Sequence, residues 1–385
     1  MKIAIVHDYI KEYGGAERVV EELIKIFPEA TVYTTIFMPE YLGPHRKRVE
    51  QWKIKTTWLQ KVPFKGKFIS YARLVAPLVF KNLDLSSYDV VITSAAGTYT
   101  SPNFVKIGEN TRLICYCHTP PRYLYGYKTA NNWDSNPGRK FLKTIGTVPM
   151  HFLRLLDFKS AQNVDQFIAN SEEVKARIKK FYRRDAEVIY PPVTFDSRFK
   201  ISNSAKVSLD KQDSRREKYY LTGGRLARAK GIDVIVAAFN KNGLPLKIFG
   251  KGFAGFEEEL KKMANKNIEF IGEVTDEEKF ELMAKAKAFV FASYDEDFGI
   301  TPVEAMGVGT PVIAFKSGGV KETVIDKETG LFYDENSPEG LNIAIEKFES
   351  ASWRNKINPE DCVAQAKKFS KEEFDKKIRA LVNNA

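Results

Sequence analysis

Apolar positions along this chain follow two alternating patterns. Short, β-branched-rich apolar runs give way to longer stretches in which apolar residues return every three or four positions. The short runs predict strands at 2–7, 30–33, 89–94, 112–118, 166–170 and 187–190 in the first half, and at 219–222, 247–250, 269–272, 288–292 and 311–315 in the second. The amphipathic stretches predict helices at 15–26 and 171–182, then at 231–241, 255–265, 276–287 and 302–307. Ser171 with Glu172 and Glu173 supplies a helix start with acids in its first turn. Such alternation of strand and helix is the mark of a parallel α/β sheet.

After Tyr190-Pro191-Pro192 the pattern lapses into a polar, charged segment over 202–218, which reads as a linker. The expected organisation is a first domain over 1–200, a second over 218–369 and a closing helix over 370–385 that packs back on the first domain. Length agrees, because 385 residues exceed what one hydrophobic core usually serves. No apolar run reaches the ~18 residues that span a bilayer, and the start, Met1-Lys2-Ile3-Ala4-Ile5-Val6-His7, reads as a buried strand rather than a leader. With three cysteines too few for a disulfide framework, a cytoplasmic setting is expected. Cys115-x-Cys117-His118 has no fourth ligand at metal-site spacing.

Lysine and arginine outnumber acids 60 to 49, a net charge of +11, which suits an anionic partner without saying which. A nucleic acid is disfavoured, since neither zinc-finger cysteine spacing nor an RNA-recognition aromatic motif is present. The densest charge lies in 46–73, where Arg46, Lys47, Arg48, Lys53, Lys55, Lys61, Lys65, Lys67 and Arg73 face only Glu50 and are interleaved with Trp52, Trp58, Phe64, Phe68 and Tyr71. Cations and aromatics together suit an anionic membrane surface; the alternative is a solvated rim with the aromatics packed inward.

Candidate chemistry gathers at strand ends. Gly14-Gly15 follows the first strand and opens a helix, where backbone N–H groups can approach a phosphate or the pair is plain turn chemistry. Arg225 and Lys230, within Thr222-Gly223-Gly224-Arg225-Leu226-Ala227-Arg228-Ala229-Lys230-Gly231, set two cations beside the second domain's first strand, which suits a diphosphate or is simply a solvated basic loop. Tyr294-Asp295-Glu296-Asp297-Phe298-Gly299-Ile300-Thr301-Pro302-Val303-Glu304 follows an apolar strand. Pro302 is expected as first helical residue with Thr301 as its cap, so peptides from Phe298 through Gly299 and Ile300 to Thr301 present N–H groups to an anion. Glu304 then either faces that crevice or completes a Thr301-x-x-Glu304 capping box. Asp295-x-Asp297 spells a metal-binding pair, but its place inside Glu296-x7-Glu304 argues against that use. His118 ends an apolar strand before Thr119-Pro120, at the sheet edge where α/β folds bind ligands, and is either a ligand-facing group there or a structural histidine.

Taken together, Gly14-Gly15-Ala16-Glu17, His118, Phe167-Ile168-Ala169-Asn170-Ser171, Gly224-Arg225-Leu226 with Lys230-Gly231, and Glu296-x7-Glu304 resemble the retaining glycosyltransferases of the GT4 family over most of the chain. Cys117-His118-Thr119-Pro120-Pro121-Arg122-Tyr123 and Ile189-Tyr190-Pro191-Pro192-Val193 are similar to bacterial polysaccharide mannosyltransferases like the O-antigen enzyme WbaZ. The resemblance implies the GT-B fold, an α/β architecture of two Rossmann-like domains facing each other across a cleft. It implies that Arg225 and Lys230 hold a donor diphosphate approached by Gly14 and Gly15, and that Glu304 binds the ribose. Glu296, amides from Phe298 to Thr301, and His118 would meet the transferred sugar, while Val274 would lie on the base and Asp276 would read guanine or serve the Thr275-x-x-Glu278 cap. Its expected substrates are a nucleotide sugar, GDP-mannose first, and a glycolipid or glycan acceptor, with no metal or cofactor and a peripheral place at the inner membrane face. A UDP- or ADP-sugar transferase, or an epimerase or phosphorylase on the same fold, are the competing readings. A dinucleotide oxidoreductase is disfavoured, since Gly-x-Gly-x-x-Gly is missing after Val6.

Overall fold

The computed structural model describes residues 1–69, 71–99, 102–127, 147–195, 219–252, 255–350 and 357–383; the linker read at 202–218 lies outside them. The chain divides into two compact units, one formed by the described parts of 1–192 with 371–383, the other by those of 193–370.

The first unit is built on a seven-stranded parallel sheet of β1 (Ile3–His7), β2 (Thr31–Thr34), β3 (Ile54–Thr56), β4 (Val90–Ala95), β5 (Arg112–Cys117), β6 (Gln166–Ala169) and β7 (Ala186–Val188), in the order β3-β2-β1-β4-β5-β6-β7. Its central strands are buried along their length, as parallel strands covered on both faces must be. Alternate residues serve opposite faces. Ala4, Val6, Cys115 and Cys117 join one apolar cluster, while Ile3, Ile5, Ile114 and Tyr116 join another. The second cluster is closed by helices Gly15–Ile26 and Lys371–Asn383, the latter contributing Phe374, Ile378, Leu381 and Val382.

The second unit has a six-stranded parallel sheet of β8 (Tyr220–Leu226), β9 (Leu246–Gly252), β10 (Ile268–Gly272), β11 (Phe289–Phe291), β12 (Val312–Phe315) and β13 (Gly330–Tyr333), in the order β10-β9-β8-β11-β12-β13. Helices Ile232–Asn242, Asp276–Lys285, Ile300–Gly307 and Pro338–Glu349 follow its strands. Leu246, Ile248, Val290 and Ile313 meet Ile235, Phe239 and Leu341 in one core.

Both orders reverse direction once, between β1 and β4 and between β8 and β11. At such a switch point the following helices leave to opposite faces and a crevice opens at the strands' carboxyl ends. The second opening is marked, because β8 pairs with β9 through Leu226 but meets β11 at Leu221, opposite Phe289.

Candidate active site

The first switch point gathers side chains that the sequence reading took separately. Gly14 caps helix Gly15–Ile26, and its N–H donates to Glu17 Oε2 at 2.8 Å. The other oxygen of Glu17 lies 3.4 Å from His7 Nε2. His7 Nδ1 is 3.1 Å from both the carbonyl oxygen and the hydroxyl of Ser94, and that hydroxyl is 2.9 Å from His118 Nε2. All four side chains are buried. Burial pulls the His7 pKa down, but the hydrogen bond and charge of Glu17 outweigh it and leave the group above its ordinary value. Burial pushes Glu17 up, and the same partner brings it below the usual carboxylate range. His118 falls to about 3, first through burial and then through the charge of His7. His118 is therefore a neutral imidazole at working pH.

Beside them Asp8 accepts from the amides of Thr98 and Tyr99 through Oδ2, while its buried Oδ1 has no partner. Its pKa rises to about 6, chiefly by burial. The aromatic segment after His118 folds inward: Tyr125 donates to Asp157, Arg73 lies over Tyr123 and Arg177 over Tyr127.

At the second switch point Arg225 sits exposed near the end of β8, and Lys230 closes the single turn Arg228–Lys230. Lys230 Nζ donates to both oxygens of Glu296, at 2.8 and 2.6 Å, and Ser293 Oγ donates to Oε2 at 2.5 Å. The loop bearing Glu296 is braced by residues after β12: Gly319 N–H donates to the Glu296 carbonyl at 2.7 Å and Asp295 N–H to Ser317 Oγ at 3.1 Å.

The helix start is corrected. Gly299 is the cap, with φ of +91°, so the helix begins at Ile300 and Thr301 and Pro302 lie inside its first turn. A left-handed glycine turns the chain into the helix earlier than a threonine cap would, and a proline in the first turn lacks only an N–H that has no intrahelical partner. The Thr301-x-x-Glu304 capping box expected as the alternative does not form at this start. Glu304, 2% exposed, instead accepts from Lys279 Nζ at 2.7 Å, and Lys279 also reaches Asp276 Oδ1 at 3.0 Å. The Thr275-x-x-Glu278 capping box does form. Val274 is half-buried in the turn before it.

The basic segment divides. Trp52 and Leu59 are buried, while Trp58, Phe64 and Tyr71 are 52%, 74% and 69% exposed. Arg46 pairs with Glu50 and Arg48 with Glu21, whereas Lys47, Lys53 and Lys61 are exposed. No helix among the described residues is long and apolar enough to cross a membrane.

Sequence reasoning missed His7, Ser94, Lys279 and the Gly318-Gly319 brace. His7 is simply the last residue of a strand, and Lys279 reads as one more charge in Asp276-Glu277-Glu278-Lys279. Only the sheet order, which brings β4 beside β1, makes His7 and Ser94 neighbours.

Two family models match the chain, Glycosyltransferase Family 4 over residues 13–197 and Glycosyl transferases group 1 over 207–369. The alpha-1,3/1,6-mannosyltransferase ALG2 of Mus musculus is 24% identical, over 94% of this chain and 91% of its own length. An uncharacterized glycosyltransferase of Methanocaldococcus jannaschii is 28% identical, over 99% and 97%. Among solved structures, Anabaena HepE in complex with UDP and glucose matches with a TM-score of 0.70 at 19% identity, covering 100% of both chains. Sucrose-phosphate synthase from Thermosynechococcus elongatus matches at 0.71 and 17%, covering 100% of this chain and 99% of that one. With two Rossmann-like parallel sheets in one chain, these likenesses give the GT-B fold.

Proposed function

The chain belongs to the GT4-type glycosyltransferases, and from that premise we propose that it transfers mannose from GDP-mannose, with retention, to a lipid-linked or polysaccharide-precursor acceptor. The observation that carries the reading is Lys230 gripping Glu296 at the second switch point, beside the start of helix Ile300–Gly307. An ammonium has three protons, and Glu296 takes two; the third suits a phosphate oxygen.

The chemistry follows from charge. As the bond from the anomeric carbon to the donor phosphate breaks, negative charge grows on the diphosphate and positive charge on the sugar. Arg225, Lys230 and the helix-start amides from Phe298 through Gly299 and Ile300 to Thr301 stabilise the first without a metal. Gly15 adds a helix-start amide, the absence of a Cβ at Gly14 lets the loop approach, and Glu304 takes the ribose hydroxyls. Glu296 and His118 meet the transferred sugar. Val274 lies on the base, where Asp276 reads guanine. The acceptor hydroxyl attacks from the face the diphosphate leaves, and its proton goes to that leaving phosphate.

Mannose is supported by relatives named as mannosyltransferases, of which ALG2 from Rhizomucor pusillus is 24% identical. A peripheral place at the cytoplasmic face of a membrane is supported by the exposed cations and aromatics of 46–73. The test is turnover of GDP-mannose, UDP-glucose and ADP-glucose with a polyprenyl-diphosphate-linked sugar as acceptor, the product anomer being assigned by NMR. An α-mannosyl product from GDP-mannose is expected. Preference for a UDP-sugar would overturn the donor, and sugar-nucleotide isomerisation without acceptor would replace transfer by epimerisation.

A further inference from the structure

From the half-buried Gly14 amide, the buried side chains of Glu17, His7 and Ser94 make an unbroken chain that ends on His118, and the chemistry of each contact fixes where its protons lie. A backbone carbonyl only accepts, so His7 Nδ1, at 3.1 Å from the Ser94 carbonyl, carries a hydrogen. The same hydrogen points at the Ser94 hydroxyl oxygen, also at 3.1 Å. On the far side of the ring, Nε2 faces a carboxylate that already accepts from Gly14. His7 is therefore the doubly protonated partner of an ionised Glu17. The Ser94 oxygen receives the His7 hydrogen and has one hydrogen of its own to give. Its other hydrogen-bond partner is His118 Nε2, at 2.9 Å.

We propose that His7 is a positioning residue which, through Ser94, fixes His118 as the tautomer with a bare Nε2 and a protonated Nδ1, so that His118 offers an N–H donor to its ligand. The usual preference of a free neutral imidazole is for the other tautomer, with the hydrogen on Nε2. The relay reverses that preference at a ring that burial keeps neutral, and a neutral ring can donate only through whichever nitrogen bears the hydrogen. An Nδ1–H suits a sugar hydroxyl or a phosphate oxygen, both acceptors. Glu17 thereby does two jobs at the Gly14 helix start: it holds one backbone donor and it keeps His7 charged. The consequence for catalysis rests on the role proposed above for His118, whereas the tautomer itself does not.

The experiment separates the two. In full-length protein carrying ¹⁵N-labelled histidine, long-range ¹H–¹⁵N correlation spectra assign protonated and bare ring nitrogens for each of the four histidines, identified by single His→Asn variants. Expected for wild type across neutral pH is a His118 with Nδ1 protonated and Nε2 bare, beside a His7 protonated on both nitrogens. Ser94→Ala should release His118 to a mixture or to the opposite tautomer, and Ser94→Thr, which keeps the hydroxyl, should retain it. A wild-type His118 with the hydrogen on Nε2 overturns the proposal, and so does a folded Ser94→Ala protein with an unchanged His118. Should Ser94→Ala fail to fold, the wild-type spectrum still decides. In donor-saturated assays Ser94→Ala should lower kcat at least about tenfold with little change in donor KM, since a misplaced histidine tautomer removes stabilisation made in the transition state. Normal transfer by His118→Asn alongside the expected wild-type spectrum would remove His118 from the reaction and leave the relay standing.

Discussion

A carboxylate buried with one oxygen unpartnered makes its protonation state part of the folding equilibrium, and Asp8 is such a group. Its pKa of about 6 in the folded chain, against an ordinary 3.8, means that the folded state binds more protons than the unfolded one between those values. Stability from this group is full below about pH 4 and is lost as pH rises through about 6, amounting to roughly 3 kcal/mol at most. Asp8→Asn is expected to remove that slope from the wild-type profile of urea unfolding between pH 4 and 7; parallel profiles would refute the assignment. At Glu304 two effects share one side chain. Glu304→Gln leaves Lys279 charged and buried with Asp276 as its one remaining carboxylate partner among the described residues, a loss on the order of 3 kcal/mol. Adding Lys279→Met should restore much of the melting temperature while donor affinity stays low. Recovery of both would assign Glu304 to the ion pair alone. Capping signals in the sequence could not distinguish these roles, because Thr301-x-x-Glu304 satisfies the capping-box rule by composition, while the helix start depends on the backbone angle of Gly299.

Elements with a strong period were legible, and those whose pairing is set from outside were not. Helices 15–26 and 171–182 were anticipated to within a residue, since apolar spacing and starts reinforce one another there. Strands β3 and β13 escaped: Ile54–Thr56 is a three-residue edge strand in a charged segment, and Gly330–Tyr333 opens on a glycine. Strand β8 runs on to Leu226, beyond the predicted end at 222, because Gly223 and Gly224 pair with Phe249 and Gly250 despite their poor strand propensity. The loop after β12 shows why such glycines matter to the site. Gly318 has φ of +71°, and a Cβ there would stand 2.2 Å from the Glu296 carbonyl oxygen, so both conformation and contact exclude a side chain. Gly318→Ala is expected to push the Glu296 loop away from Lys230 and to lower kcat at least about tenfold, since a misplacement of about 1 Å costs that much or more. Gly299→Ala is the control: it carries similar φ strain, but its Cβ would meet nothing closer than 3.7 Å. A loss in Gly318→Ala no greater than in Gly299→Ala would mean that contact with the Glu296 loop is unimportant.

At the scale of the whole molecule, a charge of +11 is spread unevenly, and 46–73 holds nine cations against one acid. The folded unit uses part of that charge internally, through Arg46 with Glu50, Arg48 with Glu21 and Arg73 over Tyr123. It also buries Trp52, which the sequence alone could not separate from Trp58 because both lie in similar polar surroundings. With Lys55 set over Tyr33, what remains at the surface among the described side chains is narrower than the sequence suggested: Lys47, Lys53 and Lys61 with Trp58, Phe64 and Tyr71. Near an acidic leaflet each lysine contributes about 1 kcal/mol, and aromatic rings add burial at the headgroup boundary. Three lysines thus account for roughly a hundredfold in partitioning. The full chain is expected to float with acceptor-free vesicles in proportion to their phosphatidylglycerol content and to detach as salt shortens the screening length. Replacing Lys47, Lys53 and Lys61 by Glu should abolish flotation while leaving turnover on a soluble, short-chain acceptor intact, because these residues lie outside the switch-point crevices. Trp58→Ser with Phe64→Ser should weaken binding without changing its salt dependence, since rings contribute burial and not charge. Wild type left unbound on strongly anionic vesicles at low salt would refute docking, and equal binding to neutral vesicles would refute its electrostatic basis.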